Sequence, residues 1–110
     1  MRESTLVTHI RRAVERLGCS FEKRHGSVYG HGGDQDIFIL VPMPHAFPVP
    51  VFVEVKVPGK PLTPRQEKRV RDRQKWGAVA ISAWSVSDVT DVIEAIREHR
   101  YEHQRLSHDA

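Results

Sequence analysis

Glu54 and Lys56 stand two residues apart inside the most apolar run of the chain, and Asp36 heads an earlier apolar run. Over residues 51–57, Val51, Val53, Val55 and Val57 alternate with Phe52, Glu54 and Lys56. β-Branched residues at every second position predict a strand with a buried valine face. Side chains alternate between the faces of a strand, so Glu54 and Lys56 share the other face, with Cα atoms roughly 6–7 Å apart. Two readings are open for this pair taken alone. It is an ordinary ion pair on a solvated face, or it is an acid and an ammonium held for a task, since charges are rarely set in apolar surroundings without one.

Further groups fall near it. The segment between the two apolar runs is punctuated by Pro42, Pro44, Pro48 and Pro50, and its length permits antiparallel pairing of 35–41 with 51–57. Glu3 extends the apolar stripe of a first helix at its N-terminal end, where the helix dipole alone would also favour a carboxylate. Converging carboxylates repel one another unless a cation neutralises them. An oxygen-only set suits a hard divalent ion, magnesium or manganese. Such an ion polarises a phosphodiester and lowers the pKa of a bound water, while a nearby ammonium orients that water or stabilises charge developing on the phosphate. Gln66, one turn into the next helix, adds a neutral hydrogen-bonding group. Between Lys60 and Lys75 seven basic residues (Lys60, Arg65, Lys68, Arg69, Arg71, Arg73, Lys75) face two acids, a local excess of five in a chain whose net charge is only +3. A solvated helix face and a phosphate-facing surface both produce such a stripe.

These groups need a scaffold, and the chain supplies one compact domain. At 110 residues, 39% hydrophobic and 28% charged, it has the size and composition of a single globular core. No apolar run is long enough for a spanning helix, and the N-terminus lacks a signal-peptide core. Cys19, the one cysteine, can form neither an internal disulfide nor a zinc finger, so a reducing, cytoplasmic compartment is expected. Leu6, Val7, Ile10, Ala13, Val14 and Leu17 predict a helix over 3–17 closed by Gly18. A short strand over 20–23 and a glycine-rich loop over 26–34 follow, the loop without the spacing of a P-loop or a dinucleotide fingerprint. After the strands 35–41 and 51–57, Thr63 and Pro64 predict the start of a helix that ends near Trp76. A strand over 78–83 and a helix from about Ser87, burying Val89, Val92, Ile93 and Ile96, complete the chain. Strand, helix and strand at this spacing predict a parallel βαβ unit. The expected fold is α/β of the mixed α+β kind, an αβββαβ core with a mixed four-stranded sheet flanked by helices. It occupies 1–98, and 99–110 extend the last helix or form a tail. Trp76 and Trp84 are expected in the core. His99 and His103, at i,i+4 spacing, have no third ligand nearby and read as surface residues.

Taken in order, Gly30-His31-Gly32-Gly33-Asp34-Gln35-Asp36, then Glu54-Val55-Lys56, then Pro58-Gly59-Lys60-Pro61-Leu62-Thr63-Pro64-Arg65-Gln66, then Trp76-Gly77 resemble the VRR-NUC branch of the PD-(D/E)xK nuclease superfamily, in particular its small stand-alone phage and bacterial type. Glu3, Lys23 and Gly26 also fall where that branch has an acid, a lysine and a glycine. The resemblance spans about residues 3–93 and implies a restriction-endonuclease-like core. It implies a Mg2+- or Mn2+-dependent endonuclease selective for branched DNA such as Holliday junctions, acting as a homodimer. By position, it implies that Asp36 and Glu54 bind the metal, helped by the Val55 carbonyl, with Glu3 completing the acidic cluster directly or through water. Lys56 would position or activate the attacking water, and Gln66 would hold the site's polar network or a phosphate. Lys60, Arg65, Arg69, Arg73 and His31 are the expected DNA contacts. One departure is visible: the proline expected before the aspartate is Gln35, a position that shapes the backbone and supplies no ligand. The alternative is a catalytically silent DNA-binding or assembly module of the same fold. The full set Asp36, Glu54, Lys56 and Gln66 argues for the enzyme.

Overall fold

Three helices and four strands follow one another in the computed structural model, which describes residues 1–24 and 35–102. Their order is α1 (Glu3–Arg16), β1 (Glu22–Arg24), β2 (Gln35–Val41), β3 (Val49–Val55), α2 (Pro64–Lys75), β4 (Val79–Ala83) and α3 (Val86–Arg97). The strands form one mixed sheet in the order β1-β2-β3-β4. β1, β2 and β3 run antiparallel in succession, and β4 lies parallel to β3 across the α2 crossover. This is the expected α+β architecture with its αβββαβ core.

The period-two pattern assigns the faces. Ile37, Ile39 and Val41 of β2, Val51, Val53 and Val55 of β3, and Ile81 and Ala83 of β4 all belong to one buried cluster. Leu6, Val7, Ile10 and Val14 of α1 and Val89, Ile93 and Ile96 of α3 pack onto it, so these two helices cover the valine face. Helix α2 covers the opposite face, where the Phe38 and Phe52 rings meet at a tilt of 55° with centroids 5.1 Å apart. Its own apolar contribution is small: Val70 is buried, together with Leu62 just ahead of the helix. Among the described residues, no helix is long and apolar enough to cross a membrane.

Local chemistry sets the element ends. Gly18 leaves α1 at φ +77°, a conformation that costs glycine little and other residues more. Thr63 caps α2 by accepting from Gln66 N–H at 3.2 Å, while Gln66 Oε1 accepts from Thr63 N–H at 2.9 Å. Ser85 and Asp88 form the same reciprocal cap on α3. Strand β3 starts two residues earlier than the valine alternation suggests, because Pro50 is absorbed into it opposite Leu40. Pairing with β4 begins only at Val51, so the missing proline N–H falls where no strand flanks β3 on that side. At the other end, Lys56 N–H donates to the Ala83 carbonyl at 2.9 Å and prolongs the ladder past Val55.

Candidate functional site

The strand registers align one polar row across the α2 face of the sheet. Arg24 pairs with Asp36, Asp36 with Glu54, and Glu54 with Ser82. Directly opposed residues on neighbouring strands share a face, so the two acids lie side by side, with Ser82 on the far flank of Glu54. Arg24 ends the row in solvent, but the rest of it is buried: Asp36 is 8% exposed, Glu54 0% and Ser82 1%. Two adjacent carboxylates at this depth require cations or protons.

Helix α2 supplies guanidinium groups. Arg69 Nε donates to Glu54 Oε1. Arg73 grips Asp36 with both terminal nitrogens, at 3.3 Å to Oδ1 and 3.1 Å to Oδ2. The Arg73 guanidinium also lies 4.4 Å from the centroid of the Phe52 ring, a cation–π position that fixes its approach. The spacing explains the match. Residues four apart lie on one face of a helix, so Arg69 and Arg73 both face the sheet and reach acids on neighbouring strands.

Gln66 is buried on the same helix at 1% exposure, and its side-chain oxygen is engaged by the cap. Lys56 lies just beyond β3 on the Glu54 side by alternation and remains half-exposed, while the placed ion pairs of the two acids go to arginines. Val55 closes β3 beside Glu54. Glu3 lies in the first turn of α1, the helix that covers the valine face. Among the described residues, no group of three His, Cys, Asp or Glu side chains is placed to hold a metal.

Two adjacent carboxylates still fit a magnesium-like ion, which keeps several waters and takes one or two carboxylates from protein. The fit requires the arginines to yield carboxylate oxygens. Ser82 was not singled out by the sequence, although its alignment with Glu54 in the parallel pair could have been read from the two strand patterns.

Of the expected DNA contacts, Lys60 and Arg65 are exposed, whereas Arg69 and Arg73 are turned onto the acids. An open groove of about 370 Å³ runs along α2, lined by Arg65, Lys68, Arg69, Asp72 and Arg73. His31, His25, His103 and the glycine-rich loop lie outside the described residues. His99 is exposed, as expected. Trp76 departs from expectation: it is 82% exposed, because it is the C-cap of α2 and Gly77 at φ +90° turns the chain back toward β4. Trp84 is half-buried and donates its indole N–H to the Lys60 carbonyl at 2.6 Å, tying down the loop that enters α2. A scan against protein-family models and searches of curated proteins and of solved structures return no match.

Proposed function

We propose that this chain is a Mg2+- or Mn2+-dependent endonuclease that hydrolyses phosphodiester bonds in DNA, of the VRR-NUC type, with branched DNA as its preferred substrate. The observation that supports the reading is the β2–β3 register, which sets Asp36 directly opposite Glu54 on the face reached by α2. Asp36, Glu54 and the Val55 carbonyl are the assigned ligands. The bound ion supplies Lewis acidity and a water of lowered pKa. Lys56, at the rim, orients the attacking water and offsets charge developing on the phosphate. Gln66 holds the site's polar network or a phosphate, and Lys60 and Arg65 meet the DNA backbone from the exposed flank. A homodimer addressing two strands, in the cytoplasm, belongs to the same proposal.

A second reading is favoured by a specific observation. Arg69 and Arg73 neutralise both acids, which suits a DNA-binding or assembly module that keeps the fold without the chemistry. Incubating the protein with duplex, flap, single-stranded and four-way junction DNA, with and without Mg2+ or Mn2+, separates the two. Metal-dependent cleavage lost in Glu54→Gln establishes the enzyme. Binding without cleavage under every condition establishes the module.

A further inference from the structure

We propose that Arg69 and Arg73 form a two-position latch. Without a divalent ion they clamp Glu54 and Asp36, and when metal takes those carboxylates the same guanidinium groups turn to DNA phosphates in the groove along α2. The inference rests on the assignment of Asp36 and Glu54 as metal ligands.

Three features of the site carry it. First, arginines hold three of the four carboxylate oxygens of the pair: Arg69 is on Glu54 Oε1 and Arg73 on both oxygens of Asp36. Metal binding is therefore an exchange of cations, not an addition to an open site. Second, both arginines also line the open groove, with 31% and 22% of their side chains exposed. They reach solvent and the acids from the same position. Third, a guanidinium fork matches carboxylate and phosphate oxygens with the same geometry, so an arginine displaced from one is ready for the other. A latch built this way couples the two ligands. Metal frees cations for DNA, and phosphates that capture those cations free carboxylates for metal, and this coupling is reciprocal.

The test uses the Arg73–Asp36 half, whose carboxylate lies nearer solvent, at 8% exposure against 0% for Glu54. Mn2+ binding is measured by electron paramagnetic resonance for the wild type, Arg73→Gln, Arg73→Met and Lys68→Gln, with circular dichroism on each. Arg73→Met retains a stem over Phe52. Lys68→Gln removes a groove cation that is paired to Asp72 and not to the acid row. Both Arg73 variants bind Mn2+ on the order of tenfold more tightly than the wild type, as expected when a charge-assisted bidentate competitor is lost. Lys68→Gln stays within about twofold, the small effect of an exposed charge at a distance. In EDTA, four-way junction binding across a salt series supplies the second readout. Arg73→Gln leaves the slope near the wild-type value. Asp36→Asn steepens it by about one phosphate contact, and adding Arg73→Gln to Asp36→Asn removes that gain. Equal Mn2+ affinity in all four proteins overturns the latch while leaving the ligand assignment standing. Absence of Mn2+ binding in all four overturns both. A slope that Arg73→Gln flattens by a full contact in metal-free protein also overturns the latch, because Arg73 would then already face DNA.

Discussion

Arg69→Met measures how far the burial of Glu54 is compensated by a guanidinium. Glu54 is 0% exposed, and Arg69 reaches it from a half-buried position on α2. Methionine keeps most of the stem and removes the charge. Stripping one partner from a buried pair costs about 3–5 kcal/mol, because the remaining charge is left in a low-dielectric site. The Arg69 side chain retains 31% of its exposure, so water screens the pair from one side and the lower end, about 3 kcal/mol, applies. For a domain of this length each kcal/mol moves the melting temperature by roughly 4–5 °C, which predicts a fall of about 12–15 °C. Urea and thermal denaturation followed by circular dichroism give both numbers. The double variant Arg69→Met with Glu54→Gln isolates the cause. A neutral amide needs no counter-ion, so the double variant recovers at least half of the loss. A single-variant loss below about 1 kcal/mol, or a double variant no more stable than Arg69→Met, refutes the argument that charge burial dominates at this position.

On the endonuclease reading, Lys56→Ala is expected to lower cleavage by roughly a hundredfold or more while junction affinity stays within about threefold, read by gel cleavage and fluorescence anisotropy; undiminished cleavage removes the role proposed for Lys56. Thr63→Ala costs about 1 kcal/mol in urea denaturation, the usual value of a lost N-cap, because Gln66 N–H then loses its acceptor at 3.2 Å; no change would mean that the loop before α2 carries the helix start unaided. Burial pushes the Cys19 thiol above its ordinary pKa of 9.0, with Arg97 pulling weakly the other way. The folded state therefore holds that proton more tightly, and the associated stability is complete below 9.0 and declines as pH rises through the higher folded value. Cys19→Ser, which lacks the titration, should lose stability less steeply than the wild type above pH 9, and parallel declines would contradict the assignment.

Strong periodicity made most of the scaffold legible. Strand β2 runs over Gln35–Val41 as its apolar pattern requires, and the valine alternation fixes which face of β3 is buried. The antiparallel and parallel pairings follow from connection length, and the observed register then brings Asp36 to Glu54. Element ends were less legible where one residue answers two demands. Pro50 reads as a breaker, yet a strand tolerates it where no second neighbour asks for its N–H. Trp76 reads as core by size, yet a C-cap residue followed by a left-handed glycine is carried away from the sheet. Gln66 reads as a site residue, and Thr63-x-x-Gln66 is equally a capping box whose side-chain oxygen is already engaged. Tyr101 packs partly against the core although the apolar stripe of α3 stops before it.

The pairing of the acids was the least legible feature, because composition counts charges without saying what holds them. The basic stripe from Lys60 to Lys75 has an excess of five, and a simple count presents all of it to solvent. In the fold, Arg69 and Arg73 face inward to the carboxylates and Lys68 is paired with Asp72 at 2.8 Å. An arginine neutralised by a buried acid cannot at the same time release a counterion from DNA, and the salt dependence of binding scales with the phosphates that are actually neutralised. On the endonuclease reading, the metal-free protein should therefore bind DNA with a salt slope well below what its α2 sequence implies. The i,i+4 spacing of Arg69 and Arg73 would be read on an isolated helix as two neighbours on a phosphate-facing surface. Here the same spacing fits two strands of a sheet, and only the strand register distinguishes the two uses.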